Sequence, residues 1–272
     1  MEMPVIPDER EDDIKFEDDS ELILFMAGNQ FMVMSDLLNA FKEIYRIRKV
    51  SYETLPPGLL LKQIFAGGAI FKGKILTGRP DIYSSVSEDA MKLLKKKGYI
   101  DDYFVYLHNR IVLMVPEGNP AGIKSVLDLA RDDVRISQPN PENEDIGKYI
   151  IEMYRRAGGE ELVKKIMEEK RKNGTTLFTL IHHRETPQRI INGEVDVGPV
   201  WATEVVYAKM MGLKVEAIEP GENLDQRDKV NYYITRLKNS PNPENAEKFL
   251  NFIKSKKAQS IYKRYGFTPQ FE

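Results

Sequence analysis

The stretch Lys256-Lys257-Ala258-Gln259-Ser260-Ile261-Tyr262-Lys263-Arg264-Tyr265-Gly266-Phe267-Thr268-Pro269 falls in the last part of a 272-residue chain. It reads as a helix from Lys256 to Arg264 that stops at a Tyr-Gly-Phe tail. Ser255 divides it from an earlier helix, Glu244 to Lys254. Upstream, strand-like and helix-like runs alternate along the chain. Leu22-Ile23-Leu24-Phe25 is an apolar run that stops at Ala27-Gly28-Asn29, and a helical pattern follows from about Phe31 to Glu43. Tyr45 to Tyr52 can hold a strand, and Pro56-Pro57-Gly58 starts a helix where a missing N–H costs nothing. Gly67 to Gly78 is a glycine-rich loop or hairpin. Asp81-Ile82-Tyr83 is a short strand, and Ser87 caps a helix to Lys97.

The rhythm continues from the buried-type strand Ile111 to Val115. Val134 to Ser137, Phe178 to Ile181 and Val195 to Val200 read as strands. Asp145 to Arg156 is a helix closed by Gly158-Gly159, and Glu160 to Lys172 is a charged amphipathic one. Thr186-Pro187 opens another, with threonine as N-cap, and Ala202 to Met211 makes the next. Val215 to Ile218 and Val230 to Thr235 are late strands. This order implies an α/β protein with largely parallel sheets. In such sheets ligands bind beyond the carboxyl ends of the strands, at helix N-termini. The loops to read are therefore 27–30, 54–58, 84–87, 138–146, 182–186 and 201–203.

Composition bounds the function. The chain is 42% apolar and 30% charged, as expected of a globular protein. Its 40 basic and 42 acidic residues leave a net charge of -2, against a nucleic-acid binder with its basic excess. There is no cysteine, which excludes thiolate metal sites and cysteine nucleophiles. No apolar run nears the ~18 residues that span a bilayer. No signal peptide is visible, and Met1 to Ser20 reads as an acidic tail, flexible or surface-draped.

Several pieces together resemble the type II periplasmic binding proteins of ABC transporters, and within them the molybdate- and tungstate-binding subgroup. Ala258 to Thr268 is similar to that family's last helix and Tyr-Gly-Phe tail. Phe25-Met26-Ala27-Gly28-Asn29, with Asp36 and Phe41, matches its first strand, loop and helix. Asp81 with Ser84-Ser85 matches the strand that carries a family aspartate, and Gly198-Pro199-Val200-Trp201 resembles the strand ending at a ligand-facing tyrosine. The resemblance implies a two-lobed fold, each lobe a mixed, mostly parallel, five-stranded sheet flanked by helices, joined by two crossovers. The expected division is a tail at 1–20, a first lobe from 21–109 plus 223–272, and a second lobe from 110–222. A ligand would sit in an interlobe cleft and favour its closure.

Such clefts hold oxyanions with neutral donors at helix N-termini. Carried across by position, Asn29 stands where the family has a serine, and its amide can donate instead; a turn or N-cap asparagine is the other reading. Pro56-Pro57-Gly58 replaces a serine run, so a hydroxyl is lost and the Gly58 N–H remains. Ser85 reaches the cleft or closes a plain ST-turn. Ile146 offers a backbone N–H, with Glu142, Glu144 and Asp145 either capping the helix dipole or facing inward. His183 and Arg184 lie in the loop that supplies another donor, Arg184 as an anion clamp or as a surface partner of Glu185. Trp201, the sole tryptophan, takes the tyrosine's place, as ligand wall or as core packing. Adjacent histidines His182 and His183 point opposite ways on a strand, and zinc would need more ligands than His108 adds.

The leading reading is thus a solute-binding protein that captures a small anionic or polar ligand, a molybdate-like oxyanion first, for ABC-type uptake. Trp201, Pro57 and the lost serines point to a ligand larger or less polar than a tetrahedral metal oxyanion. No cofactor or metal is expected. The expected partners are the ligand and, if the chain is exported, a transporter permease, with the protein itself a monomer. The resemblance implies a periplasmic or other extracytoplasmic location, while the lack of a leader leaves the cytoplasm open. Two alternatives stand beside it: an enzyme on this fold, with His182, His183 and Glu185 in acid–base roles, or a cytosolic ligand sensor.

Overall fold

The computed structural model describes residues 14–71, 73–142, 144–180 and 185–271. The chain divides into unit 1, Met1–His108 with Asn231–Glu272, and unit 2, Asn109–Val230. Unit 1 opens with β1 (Ile14–Lys15), β2 (Leu22–Ala27), a 3-10 stretch (Gly28–Val33), α1 (Met34–Tyr45), β3 (Val50–Leu55) and α2 (Pro57–Ala66). It continues with β4 (Gly68–Phe71), β5 (Lys74–Thr77), β6 (Ile82–Ser85), α3 (Glu88–Lys96) and β7 (Phe104–His108). Unit 2 holds β8 (Ile111–Pro116), a 3-10 turn (Val126–Ala130), β9 (Ile136–Gln138), α4 (Asp145–Lys164), a π turn (Lys165–Glu169) and α5 (Lys170–Lys172). After these come β10 (Thr176–Phe178), α6 (Glu185–Ile191), β11 (Gly198–Trp201), α7 (Ala202–Met210) and β12 (Val215–Ile218). The chain returns to unit 1 as β13 (Asn231–Arg236), α8 (Pro243–Ile253), α9 (Lys256–Arg264) and β14 (Thr268–Pro269).

Among the described residues the unit 1 sheet has seven strands, in the order β1-β3-β2-β6-β13-β7-β14. That is two more than the five expected, because the two-residue strands β1 and β14 extend its edges. The largely parallel sheet expected from the βα rhythm is parallel only where that rhythm runs unbroken, at β3–β2 and β2–β6. β13 returns antiparallel to both β6 and β7. In unit 2, β10 and β9 are parallel, and β11 and β12 flank β8 antiparallel. A parallel bridge from Ile136 to Val197 joins the two groups into one row of five.

The C-terminal stretch is tied into unit 1 by a buried polar and aromatic network. Tyr262 donates from its hydroxyl to Gln30 Oε1 at 3.0 Å, and Gln30 Nε2 donates to Ser84 Oγ at 3.1 Å. Ser84 in turn shares a hydrogen bond of 2.8 Å with the Tyr106 hydroxyl. Phe267 meets Tyr262 and Tyr232 edge to face, at 5.6 and 5.5 Å between ring centres. The turn that delivers Phe267 needs Gly266, whose φ of 88° is left-handed. Asp36 of α1 accepts from Tyr265 at 2.9 Å and from Arg264 at 3.1 Å. The Tyr-Gly-Phe tail therefore joins α1, β6, β7 and β13. Asp81 is a second knot, fully buried, accepting from Ile23 N at 2.7 Å, Ser240 Oγ at 2.5 Å and Asn242 N at 2.6 Å. Its carboxylate serves the scaffold.

Candidate functional site

In unit 1, three neighbouring parallel strands β3, β2 and β6 end at one edge. The Gly28–Asn29, Pro56–Gly58 and Ser85 loops emerge there together. Gly28 permits the close approach, since a Cβ on it would lie 3.3 Å from the Leu55 carbonyl carbon. Pro56 is the N-cap of α2 and Pro57 its first residue. The Leu59 N–H donates to the Pro56 carbonyl at 2.8 Å. Pro57 has no N–H, so Gly58 supplies the first backbone donor of the helix, with no intrahelical acceptor to receive it. The ring hydroxyl of Tyr83 donates to the Pro57 carbonyl at 2.9 Å and holds this turn against β6; burial pushes its pKa up to about 12.

Asn29 donates from Nδ2 to the hydroxyl of Tyr232, and its Oδ1 is buried with no hydrogen-bond partner among the described residues. Ser85 is fully buried, and its Oγ accepts from the Ser87 N–H at 3.0 Å in an ST-turn. Ser87 Oγ then caps α3 by accepting from Ala90 N at 3.3 Å.

Unit 2 repeats this edge with β9, β10 and β11. Glu144 is the N-cap residue of α4, but its side chain makes no capping bond. Its carboxylate takes the hydroxyl of Thr179 from the β10 loop. Gly147 donates to the Glu144 carbonyl at 3.0 Å, leaving the Ile146 N–H in the same position as that of Gly58, second in its helix. Thr179 Oγ1 accepts from Asn140 N at 3.0 Å, and the Gln138 side chain receives the Tyr154 hydroxyl at 2.7 Å. The Glu142 side chain is exposed. His183 and Arg184 lie outside the described residues, as does the side chain of Asp145.

Trp201 ends β11 as the N-cap of α7 and is 7% exposed. Its ring lies 5.9 Å from that of Tyr149 on α4, tilted by 60°. Its indole N–H has no hydrogen-bond partner among the described residues. Thr186 is not the N-cap expected of it: α6 starts one residue earlier, at Glu185, and the Thr186 hydroxyl is shared with Ser137 Oγ at 2.8 Å. Arg189, which no sequence pattern singles out, donates from its guanidinium to Glu185 at 2.8 Å and to the Phe178 and Leu177 carbonyls at 3.0 and 3.1 Å. Arg189 thus fastens α6 to the end of β10. His108 Nε2 shares a hydrogen bond of 2.5 Å with Gln270 at the edge of unit 1. Among the described residues no group of three or more His, Asp or Glu side chains is placed to hold a metal ion.

Each edge therefore offers backbone donors at a helix start, with the Glu144 carboxylate beside the one in unit 2. A helix start whose second N–H has no partner among the described residues sits beside an amide or an indole, and the positive end of each helix dipole favours an anion.

The profile of a family described as bacterial extracellular solute-binding protein matches residues 22–268. A putative ABC transporter substrate-binding lipoprotein, YvgL of Bacillus subtilis, is 26% identical over 219 residues, 78% of this chain and 73% of that protein. The molybdate-binding protein ModA of Escherichia coli is 24% identical over 260 residues, 92% of this chain and 90% of its own. Among solved structures, the substrate-binding domain of a putative molybdenum ABC transporter from Clostridium difficile superposes with a TM-score of 0.73 at 21% identity, covering 91% of this chain and 98% of that one.

Proposed function

The chain belongs to the bacterial extracellular solute-binding proteins, and we propose that within that family it captures a small oxyanion and hands it to an ABC-type permease. The observation that carries this reading is the pair of helix starts. In α2 and α4 alike, the third N–H returns to the N-cap carbonyl, and the second N–H, without a partner among the described residues, is left for a ligand. The molybdate binder and the substrate-binding domain named for a molybdenum transporter, similar over nearly the whole chain, support the same ligand class. On this reading Asn29 turns its amide so that Tyr232 donates to Oδ1 and Nδ2 faces the anion. The place of action is extracytoplasmic, and binding is reversible with no turnover.

A second reading rests on Trp201 and Tyr149. Their paired rings form an apolar wall where a bare tetrahedral ion needs none, and Pro57 removes a donor. Both features suit an oxyanion that carries an organic portion.

A thermal-shift panel of molybdate, tungstate, sulfate, phosphate and small carboxylates tests both. A ligand at a hundredfold over its Kd stabilises by about 2.7 kcal/mol, roughly 5 °C for a chain of this size. A shift with inorganic oxyanions supports the first reading, and a shift with organic acids alone supports the second. No shift with any anion sinks both.

A further inference from the structure

β4 and β5 form a two-stranded hairpin that pairs with no other sheet among the described residues. Its register sets Ala69 opposite Leu76 and Ile70 opposite Ile75. Cross-strand partners share a face. Ala69 and Leu76 are buried against Leu60 and Ile64, and Gln63 of α2 donates to the Thr77 carbonyl at 2.8 Å. That face fixes the hairpin to unit 1. The opposite face carries Ile70 and Ile75, which are 50% and 80% exposed. An antiparallel ribbon normally turns polar residues outward. This one turns out two isoleucines.

The segment that carries the hairpin is also one-sided in charge, although Glu17 and Asp19 line a cavity beside Leu76 and Thr77 on the buried-face side. Residues 54–80 contain Lys62, Lys72, Lys74 and Arg79 and no acidic residue, in a chain with 42 acids. Lys62, Lys74 and Arg79 are exposed. The end of α3 adds a second basic run at the same corner. Lys97 Nζ lies 5.6 Å from the centre of the Phe65 ring, in the last turn of α2. Lys96 and Lys97 are exposed, and Lys95 pairs with Asp102 at 3.4 Å.

We propose that this corner adsorbs to a lipid bilayer that contains anionic lipid. Ile70 and Ile75 enter the interface, and Lys62, Lys74 and Lys97 meet the headgroups. Charge decides the occupant. A second copy of the chain brings the same positive corner and is repelled. An acidic protein partner accounts for the lysines but not for an isoleucine left 80% in water. Aliphatic side chains on an acid-free, lysine-bearing segment match an anionic bilayer surface on both counts. The location fits as well, because the hairpin joins the end of α2 to the start of β6. It lies at the end of the unit 1 sheet opposite the Asn29, Gly58 and Ser85 loops, so adsorption leaves those loops open. The proposal goes beyond the oxyanion reading and does not depend on it.

The test is sedimentation of the full chain with vesicles of phosphatidylcholine, with and without about a third phosphatidylglycerol. Binding is expected with the anionic vesicles at low salt and is lost as salt rises. Each lysine removed in Lys62→Ser and Lys74→Ser weakens it about fivefold. Ile70→Ser/Ile75→Ser abolishes it while the melting curve and the response to oxyanion stay unchanged. Three results overturn the proposal. They are equal binding to neutral and anionic vesicles, sedimentation of the isoleucine variant like the parent, and a lipid-free dimer that depends on Ile75.

Discussion

Glu53 is 6% exposed in β3, where Gln63 donates to its Oε1 at 2.9 Å and Oε2 is buried without a hydrogen-bond partner among the described residues. Burial pushes its pKa up to about 8 from an ordinary 4.5, against a smaller downward pull from Gln63. The unfolded chain sheds this proton near pH 4.5 while the folded one holds it to about 8. Its cost is therefore absent below pH 4.5, grows as pH rises, and levels off above 8 at roughly 1.4 kcal/mol per unit of difference. Glu53→Gln keeps the shape and the acceptor for Gln63 but has no proton to lose. The variant is expected to gain several kcal/mol at pH 8, at most about 5, and nothing at pH 4. Denaturant unfolding at the two pH values measures it, and parallel pH profiles for parent and variant refute it. At the ligand edge, Asn29→Asp is the matched change. Aspartate can still accept from Tyr232, but it sets a negative charge where the amide would donate. Oxyanion affinity should fall tenfold or more with little change in melting temperature. Equal affinity, by titration calorimetry, would remove Asn29 from the site. Neither role was equally visible in the sequence. Asn29 stood in a loop after an apolar run, whereas Glu53 was one of 42 acids and lay just past the stretch read as a strand.

At the scale of elements, the alternation of strands and helices was legible because each period is local. The boundary at Ser255, the Ser87 cap, the proline start of α2 and the Gly158-Gly159 break all hold in the structure. Errors arise where a distant partner decides. The strand read at 45–52 lies at Val50–Leu55, because α1 runs on through Tyr45 and Arg46 turns left-handed at φ 57° to end it. β7 was missed altogether; its Tyr106 and Leu107 are buried by pairing with β13, more than a hundred residues away. Lys170, on a helix that reads as charged and amphipathic, is 1% exposed and donates to the Val134 carbonyl at 2.7 Å and to that of Arg131. The start of α4 shows how closely an element can be set. A Cβ on Gly147 would come within 2.6 Å of Pro141 Cα and 2.9 Å of the Pro139 carbonyl oxygen. Both obstacles are backbone and cannot rotate away. Gly147→Ala should cost about 1–3 kcal/mol and push the Pro139–Pro141 loop off the helix start. Because that loop flanks the Ile146 N–H, oxyanion binding should weaken as well. Melting temperature and affinity both unchanged would show that this loop does not fix the site.

At the scale of the whole molecule, the two units are connected in different ways. Unit 2 is one continuous insert, Asn109–Val230, while unit 1 is assembled from both ends of the chain. The insert leaves unit 1 at the end of β7 and returns at the start of β13, where His108 and Asn231 are register partners in an antiparallel pair. Two such residues can be joined by a two-residue turn, and Asn-Gly suits the left-handed conformations it requires. The seven-strand sheet needs no strand from the insert. A chain of 1–108, Asn-Gly and 231–272 is therefore expected to fold, as is the fragment 109–230, each with a cooperative melt. If the ligand draws donors from both edges, Gly58 and Asn29 in one unit and Ile146 and Trp201 in the other, neither piece alone completes the set. Each should bind the cognate oxyanion at least a hundredfold more weakly than the full chain, about 2.7 kcal/mol. Circular dichroism establishes folding and calorimetry the affinity. Should one folded piece bind as tightly as the intact protein, the site belongs to that unit alone, and the matching helix starts of α2 and α4 would reflect shared fold geometry rather than shared ligand.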